Sequence, residues 1–170
     1  MTSTSSCVSQ VVKMLENLDR WLTAAEEHAK TKAFDPNVLV DMRLAPDQFP
    51  LSRQIQSACD TAKLSATRLT GKEAPVNPDT EKTIEELKAR IRATLSYLDT
   101  ITEKDFAGAE TRVVSTPRWE GKIMLGKDYF LEHAVPNFFF HLTHAYAILR
   151  HNGVDVGKRD YLGAQTRRDP

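Results

Sequence analysis

Apolar positions recur at spacings of three and four in four separate stretches of the chain, and between the third and fourth stretches that period is lost. In the first, Val8, Val11, Leu15, Leu18, Leu22, Ala25 and Ala29 alternate threes and fours without a break, and Met14 and Trp21 widen the stripe. This pattern predicts a helix over about Ser5 to Lys30 with one face in a core. Pro36 ends it by driving Asp35 out of helical geometry, and Asn37 to Asp41 fits one short turn. The second stripe, Ile55, Cys59, Ala62, Ala66 and Leu69, follows Pro46-Asp-Gln-Phe-Pro50 and stops at Gly71. Asp47 is expected to cap it, with Pro50 tolerated in the first turn. Its residues are small enough for a neighbouring helix to approach closely. The third stripe runs through Ile84, Leu87, Ile91, Leu95 or Thr94, Leu98 and Ile101. Asn77-Pro78-Asp79 is expected to open it, placing Glu81 in a first turn where the helix dipole favours an anion.

From about Glu103 to Lys127 the runs 111–116 and 119–125 are rich in β-formers and separated by Pro117, which predicts a short hairpin ended by Gly126. The fourth stretch, Pro136 to Gly153, is the most apolar. Phe138, Leu142, Ala145 and Leu149 make its buried stripe, while Asn137, His141, His144 and Ile148 put polar groups on the adjacent one. Pro136 fits a first helical position and Gly153 a left-handed cap. Asp128 to Ala134 is expected to supply earlier turns that Pro136 kinks or restarts. Phe138, Phe139 and Phe140 point about 100° apart, so at least one must meet another element or a second subunit. The prediction is an all-α, four-helix up-down bundle with a short irregular or β-hairpin insert before the last helix. One domain over 1–163 and a flexible tail over 164–170 complete the expected organisation.

Bulk chemistry narrows the partners. A chain of 170 residues is long enough for one real core, and its 23 basic and 23 acidic side chains cancel. No basic stripe marks a nucleic-acid partner, and no apolar run approaches the roughly 18 residues of a membrane span. The Ser/Thr-rich start lacks the basic-then-apolar order of a secretory signal, so a soluble cytoplasmic protein is expected. Cys7 and Cys59 lack metal-type spacing, and Cys59 falls on a core stripe, where a buried reduced thiol is expected. No Ser-His-Asp order, phosphate loop, dinucleotide fingerprint or paired-cysteine zinc motif is present.

Three segments carry a family resemblance: Leu44-Ala-Pro-Asp-Gln-Phe-Pro-Leu-Ser-Arg-Gln54, the last-helix pair 136–141 and 145–153, and Val156-Gly-Lys-Arg-Asp-Tyr-Leu-Gly163. From about Leu39 to Gly163 the chain resembles an uncharacterised domain family within the DinB/YfiT-like superfamily, which is regarded as a group of metalloenzymes. The resemblance implies a DinB-like four-helix bundle, a homodimer, and a divalent metal (zinc or nickel) on three histidines, with thiol transfer or thiol-adduct isomerisation among the reactions of relatives. Counted back from Leu149-Arg150, the superfamily's last-helix ligand positions are Asn137 and His141, and the nearest match on the second helix is Gln54. One histidine of three is retained, and neutral amide oxygen is a poor zinc ligand. Asp41 could offer a carboxylate if its loop folds over the bundle end.

Each candidate has a plainer reading. His141 is a ligand, a general base, or a core histidine hydrogen-bonded to Gln54 or Asn137. His144, one turn on, either joins it or sits at the helix edge. Asn137 and Gln54 line a polar pocket, or Asn137 satisfies free backbone N–H groups beside Pro136. Asp41, Arg43 and Asp47 hold an anionic substrate at a pocket mouth or clamp their own loop. Tyr146 and Arg150 share a face suited to a dimer or a loop contact, and Trp119 anchors the insert. Two functions follow from these readings: a degenerate or atypical metal-dependent transferase-type enzyme with a pocket around His141, or a non-catalytic bundle that binds a small molecule or dimerises.

Overall fold

All four apolar stripes become helices, because each buries its stripe in the one core that the four share. The computed structural model describes residues 4–169 and contains α1 (Thr4–Lys32), α2 (Leu51–Thr70), α3 (Ile84–Asp99), α4 (Gly126–Asp128), α5 (Val135–His151) and α6 (Lys158–Leu162). Leu15, Leu18, Leu22, Ile55, Cys59, Leu87, Ile91, Phe138, Leu142 and Leu149 share one core. α2 packs on α3 and α5, and α1 packs on the same two helices, so α1 and α2 lie across a diagonal of the bundle. Pro36–Asp41 forms the short turn expected after α1, its first N–H held by the Asp35 carboxylate, which accepts from Asn37 at 2.9 Å. None of the described helices is long and apolar enough to cross a membrane.

Two helix starts differ from expectation. Asp47 is exposed and does not cap α2; Pro50, in extended geometry, is the residue from which the helix departs. The third helix opens at Ile84 rather than at Asn77-Pro78-Asp79. Thr83 and Glu86 form a reciprocal capping box there: the Thr83 hydroxyl accepts from the Glu86 N–H, and the Glu86 carboxylate accepts from the Thr83 N–H.

The earlier residues stay extended because a buried arginine claims them. Arg90 pairs with Asp60 (2.9 Å), Asp79 (3.0 Å) and Glu81 (2.8 Å) and donates to the Pro78 carbonyl at 3.2 Å. Lys63 donates to the Pro75 carbonyl, and Gln56 donates to Glu81. The linker between α2 and α3 is therefore strapped across both helices by charge.

Val113–Val114 (β1) pairs antiparallel with Met124–Leu125 (β2), in the register Val113 to Leu125 and Val114 to Met124. The hairpin sits on a second apolar cluster of Leu69, Ala109, Val114, Tyr129 and Ala134, with Trp119 against its edge. Gly126 ends the insert where the backbones nearly touch: a Cβ there would stand 1.9 Å from the Ala109 carbonyl oxygen. Helical geometry then continues through a π-helical turn, Tyr129–Ala134, into α5. Pro136 neither restarts nor breaks the helix. It lacks the N–H that would bond one turn back, and the widened turn before it relieves the crowding of its ring.

Gly153, at φ +87°, closes α5 as expected. α6 was not legible as a periodic stripe, being only five residues long. It docks through Trp21, whose indole donates to the Asp160 carbonyl at 3.2 Å, and through Asn17, which donates to the Tyr161 carbonyl at 2.9 Å. Tyr161 stacks on Trp21, with Tyr146 edge-on to both. Tyr146 and Arg150 thus make contacts within the chain, Arg150 pairing with Asp155 at 3.5 Å.

Two substitutions test this framework. Arg90→Ala removes the cation shared by Asp60, Asp79 and Glu81 and leaves the nearly buried Glu81 with no ion-pair partner among the described residues, which should cost about 3 kcal/mol in urea denaturation. Gly126→Ala should displace the hairpin from α4, read as faster amide exchange over 109–125 while the core of α1 to α3 keeps its protection.

Candidate functional site

The polar stripe of α5 meets α2 along the seam where α2 is built from small residues. His141 is nearly buried, and its Nδ1 lies 2.8 Å from Gln54 Oε1. The Gln54 amide nitrogen donates to the Phe49 carbonyl at 3.3 Å, which fixes the amide so that its oxygen faces the imidazole. An amide oxygen only accepts, so Nδ1 carries the ring proton and Nε2 keeps a lone pair. Phe49 stacks over the ring at 6.4 Å, and Phe140 meets it edge-on at 5.3 Å. Burial pushes the His141 imidazole down to about 4, and the nearby His144 and Arg53 act in the same direction. His141 is therefore neutral at physiological pH.

One turn back on α5, the Asn137 amide donates to Thr61 Oγ1 at 2.7 Å. The helix is continuous there, so Asn137 has no free helix start to satisfy, and its partner is α2 instead. Gln54 and Asn137 each bond across the seam rather than converging with His141 on one point.

Both His141 and Asn137 line a cleft of about 420 Å³ between α2, the π-helical turn, α5 and the insert. Its far wall is Thr116, Pro117, Arg118 and Trp119 from the insert, with Tyr129 and His133 from the π turn and Arg53, Asp60 and Arg68 from α2. His133 stacks on Tyr129 at 5.5 Å and meets Trp119 edge-on at 5.7 Å. Its pKa is lowered from the usual histidine value by burial and by the Arg68 charge.

Sequence reasoning missed this half of the site. The signal was weak: aromatic and cationic residues in an aperiodic insert, plus His133 before a proline. π-helical turns in helices often mark functional positions.

Gln54 and the remaining candidates lie outside the cleft lining. His144 donates from Nδ1 to the Phe140 carbonyl at 2.7 Å, and its Nε2 stands 3.3 Å from the Gln48 amide nitrogen. Asp41 is exposed, and Arg43 donates to the Gln48 carbonyl at 2.9 Å. No ion pair joins Asp41, Arg43 and Asp47 among the described residues, so the loop is held by backbone carbonyls instead. Cys59 is fully buried, and that burial pushes its thiol up to about 12, which makes it a core residue. Phe138 is buried, Phe139 packs on the core, and Phe140 is 54% exposed beside the His144 ring.

The donor set does not fit zinc or nickel. Gln54 spends its carbonyl on the His141 ring, a role that orients an imidazole without ligating anything. What remains is one imidazole nitrogen and one amide, and among the described residues no three of His, Cys, Asp and Glu come together to hold an ion.

Comparison with known proteins defines the class. The family described as Domain of unknown function (DUF1993) matches residues 4–162, and the chain belongs to that family. A crystal structure at 1.83 Å resolution of a DinB family member protein from Shewanella denitrificans is similar at 52% identity and a TM-score of 0.92. The match covers 96% of this chain and 93% of that one. The fold is thus that of an uncharacterised DinB-like protein. No curated protein matches the chain.

The depressed His141 value has a definite pH signature. An unfolded histidine titrates near 6.5, whereas the folded His141 does so near 4. Between those values the unfolded chain binds the extra proton, so stability falls as pH drops from about 6.5 toward 4 and is unaffected by this group above that window. The full loss is up to roughly 3 kcal/mol. Denaturation curves across that range should flatten in His141→Phe, and nitrogen shifts of the ring should report a protonated Nδ1 and a bare Nε2. His141→Ala should also cost about 1–3 kcal/mol at neutral pH by stranding the Gln54 oxygen.

Proposed function

We propose that this DinB-like bundle is a small-molecule-binding protein whose ligand occupies the cleft between α2, α5 and the insert. The observation that carries the reading is His141: a neutral imidazole locked in one tautomer by Gln54, on the wall of a cleft of about 420 Å³. Small-molecule sites have volumes of roughly 300–1,000 Å³ and combine apolar walls with a few fixed polar groups. Phe49, Leu64 and Trp119 supply the apolar surface here, and His141 and Asn137 supply fixed polar groups. With its proton committed to Gln54, His141 serves as a hydrogen-bond acceptor for a ligand hydroxyl or N–H.

A metal-dependent transferase receives less support, because a ligand set of one imidazole and one amide is weak for zinc or nickel. Thermal unfolding with Zn²⁺ and Ni²⁺ should show no saturable stabilisation. A saturable shift lost in His141→Ala would restore the metalloenzyme reading. For the binding reading, a set of neutral and ionic aromatic fragments screened by saturation-transfer NMR should give hits that perturb the His141 ring and the Asn137 side-chain amide. Those hits should weaken at least tenfold in His141→Phe, about the worth of one hydrogen bond left unmade. Hits indifferent to that substitution would defeat the proposal.

A further inference from the structure

The charges around the cleft are not balanced, and the imbalance has a place. Asp60 is the one carboxylate among the described lining residues, and Arg90 and Lys63 already neutralise it, at 2.9 and 3.3 Å. Arg53 is paired with Asp79. Arg68 and Arg118 have no carboxylate partner among the described ion pairs. Arg68 is half-buried and donates to the Tyr129 hydroxyl at 3.0 Å while lying against that ring. Arg118 is carried on a short turn, Pro117–Trp119, whose third residue stands against His133. Two unneutralised guanidinium groups therefore line the cleft at its insert end, beside an aromatic wall of Trp119 and His133, both packed on the buried Tyr129.

We propose that this end of the cleft is an oxyanion subsite, in which Arg68 and Arg118 hold the carboxylate or phosphate of a small aromatic acid. The inference rests on the binding reading above and adds the chemical class of the ligand. Guanidinium groups present paired N–H donors matched to carboxylate and phosphate oxygens, and hydrogen bonds to such ions are about twice as strong as neutral ones. The ring of the ligand lies along the aromatic wall, and a hydroxyl or N–H at its far end reaches toward the acceptor on His141. The Tyr129 bond holds Arg68 in place before the ligand arrives, which lowers the ordering cost of binding. The Arg68 charge that lowers the His133 pKa is the field a bound anion would cancel.

The test uses the full chain with benzoate, phenyl phosphate, inorganic phosphate and neutral benzyl alcohol as probes. Binding is read from Trp119 fluorescence, since Trp21 is buried elsewhere and serves as the constant background. Benzoate or phenyl phosphate should bind at least tenfold more tightly than benzyl alcohol, and that advantage should shrink with added salt. Arg118→Gln, an exposed position, should lose about tenfold in anion affinity, and so should Arg68→Gln, with a smaller loss for benzyl alcohol than for the anions in both. Arg68→Lys should recover part of the loss. On saturation with the preferred anion, the His133 ring should titrate at higher pH than in the free protein. Preference of phenyl phosphate over benzoate assigns the head group to a phosphate ester, and the reverse assigns it to a carboxylic acid. Inorganic phosphate binding as tightly as phenyl phosphate would remove the aromatic wall from the proposal and overturn it. Equal binding of benzyl alcohol and the anions, or anion affinity indifferent to both arginine variants, would overturn the subsite while leaving the binding cleft intact. Failure of all four probes at millimolar concentration would overturn both.

Discussion

The seam between α2 and α5 is the contact on which the rest of the molecule depends. α2 offers Ala58, Cys59, Ala62 and Ala66, and α5 answers with Phe138, Leu142 and Ala145. Small side chains on one helix let the large ones of the other pack close to its backbone. Burial alone does not fix the register of two such surfaces. Two polar bonds across the seam do so, His141 to Gln54 and Asn137 to Thr61. Each would leave a buried or half-buried group unpaired if α5 slid by one turn, and that penalty makes the register unique.

Once α5 is fixed, the geometry of the insert follows. The chain enters α5 through Gly126 and the π-helical turn, and the first of these is pressed against the Ala109 carbonyl. The hairpin is thus carried at the flank of α2, over its own small apolar cluster, and a cleft remains between it and the bundle. On the other flank of α2, the buried Arg90 gathers the linker into a compact knot of charge and absorbs Asp60. Asp60 is occupied there, and Arg68 on the same helix has no carboxylate partner among the described ion pairs.

The resemblance to a metalloenzyme superfamily and the donor chemistry of this chain point in different directions, and the difference lies in a few atoms. A histidine at the Gln54 position would offer a second imidazole. Glutamine instead offers an oxygen that takes the His141 proton in a hydrogen bond and fixes its tautomer. The scaffold that positions the groups is shared while the groups themselves can differ, and membership in a fold family does not carry an activity with it.

The sequence alone was enough for the four main helices, the hairpin, the burial of Cys59, the capping role of Gly153 and the polar stripe on α5, because each is a local consequence of periodicity, turn chemistry or residue size. It named Gln54, Asn137 and His141, and it allowed for the Gln54–His141 pair. The start of α3 was misread because Asn-Pro-Asp is a strong local signal, and only the tertiary structure shows that Arg90, distant in sequence, has already claimed Asp79 and Glu81. Asp47 failed as a cap, and Asp41 and Arg43 proved to lie outside the cleft, because their positions depend on how one irregular loop crosses the bundle. Arg68, Arg118, Trp119 and His133 carried no periodic signature at all. Periodicity reports which residues face the core, since that is decided one helix at a time. Which side chains share a cleft is decided by contacts between residues far apart in the chain, and only the folded arrangement of α2, α5 and the insert could bring them together.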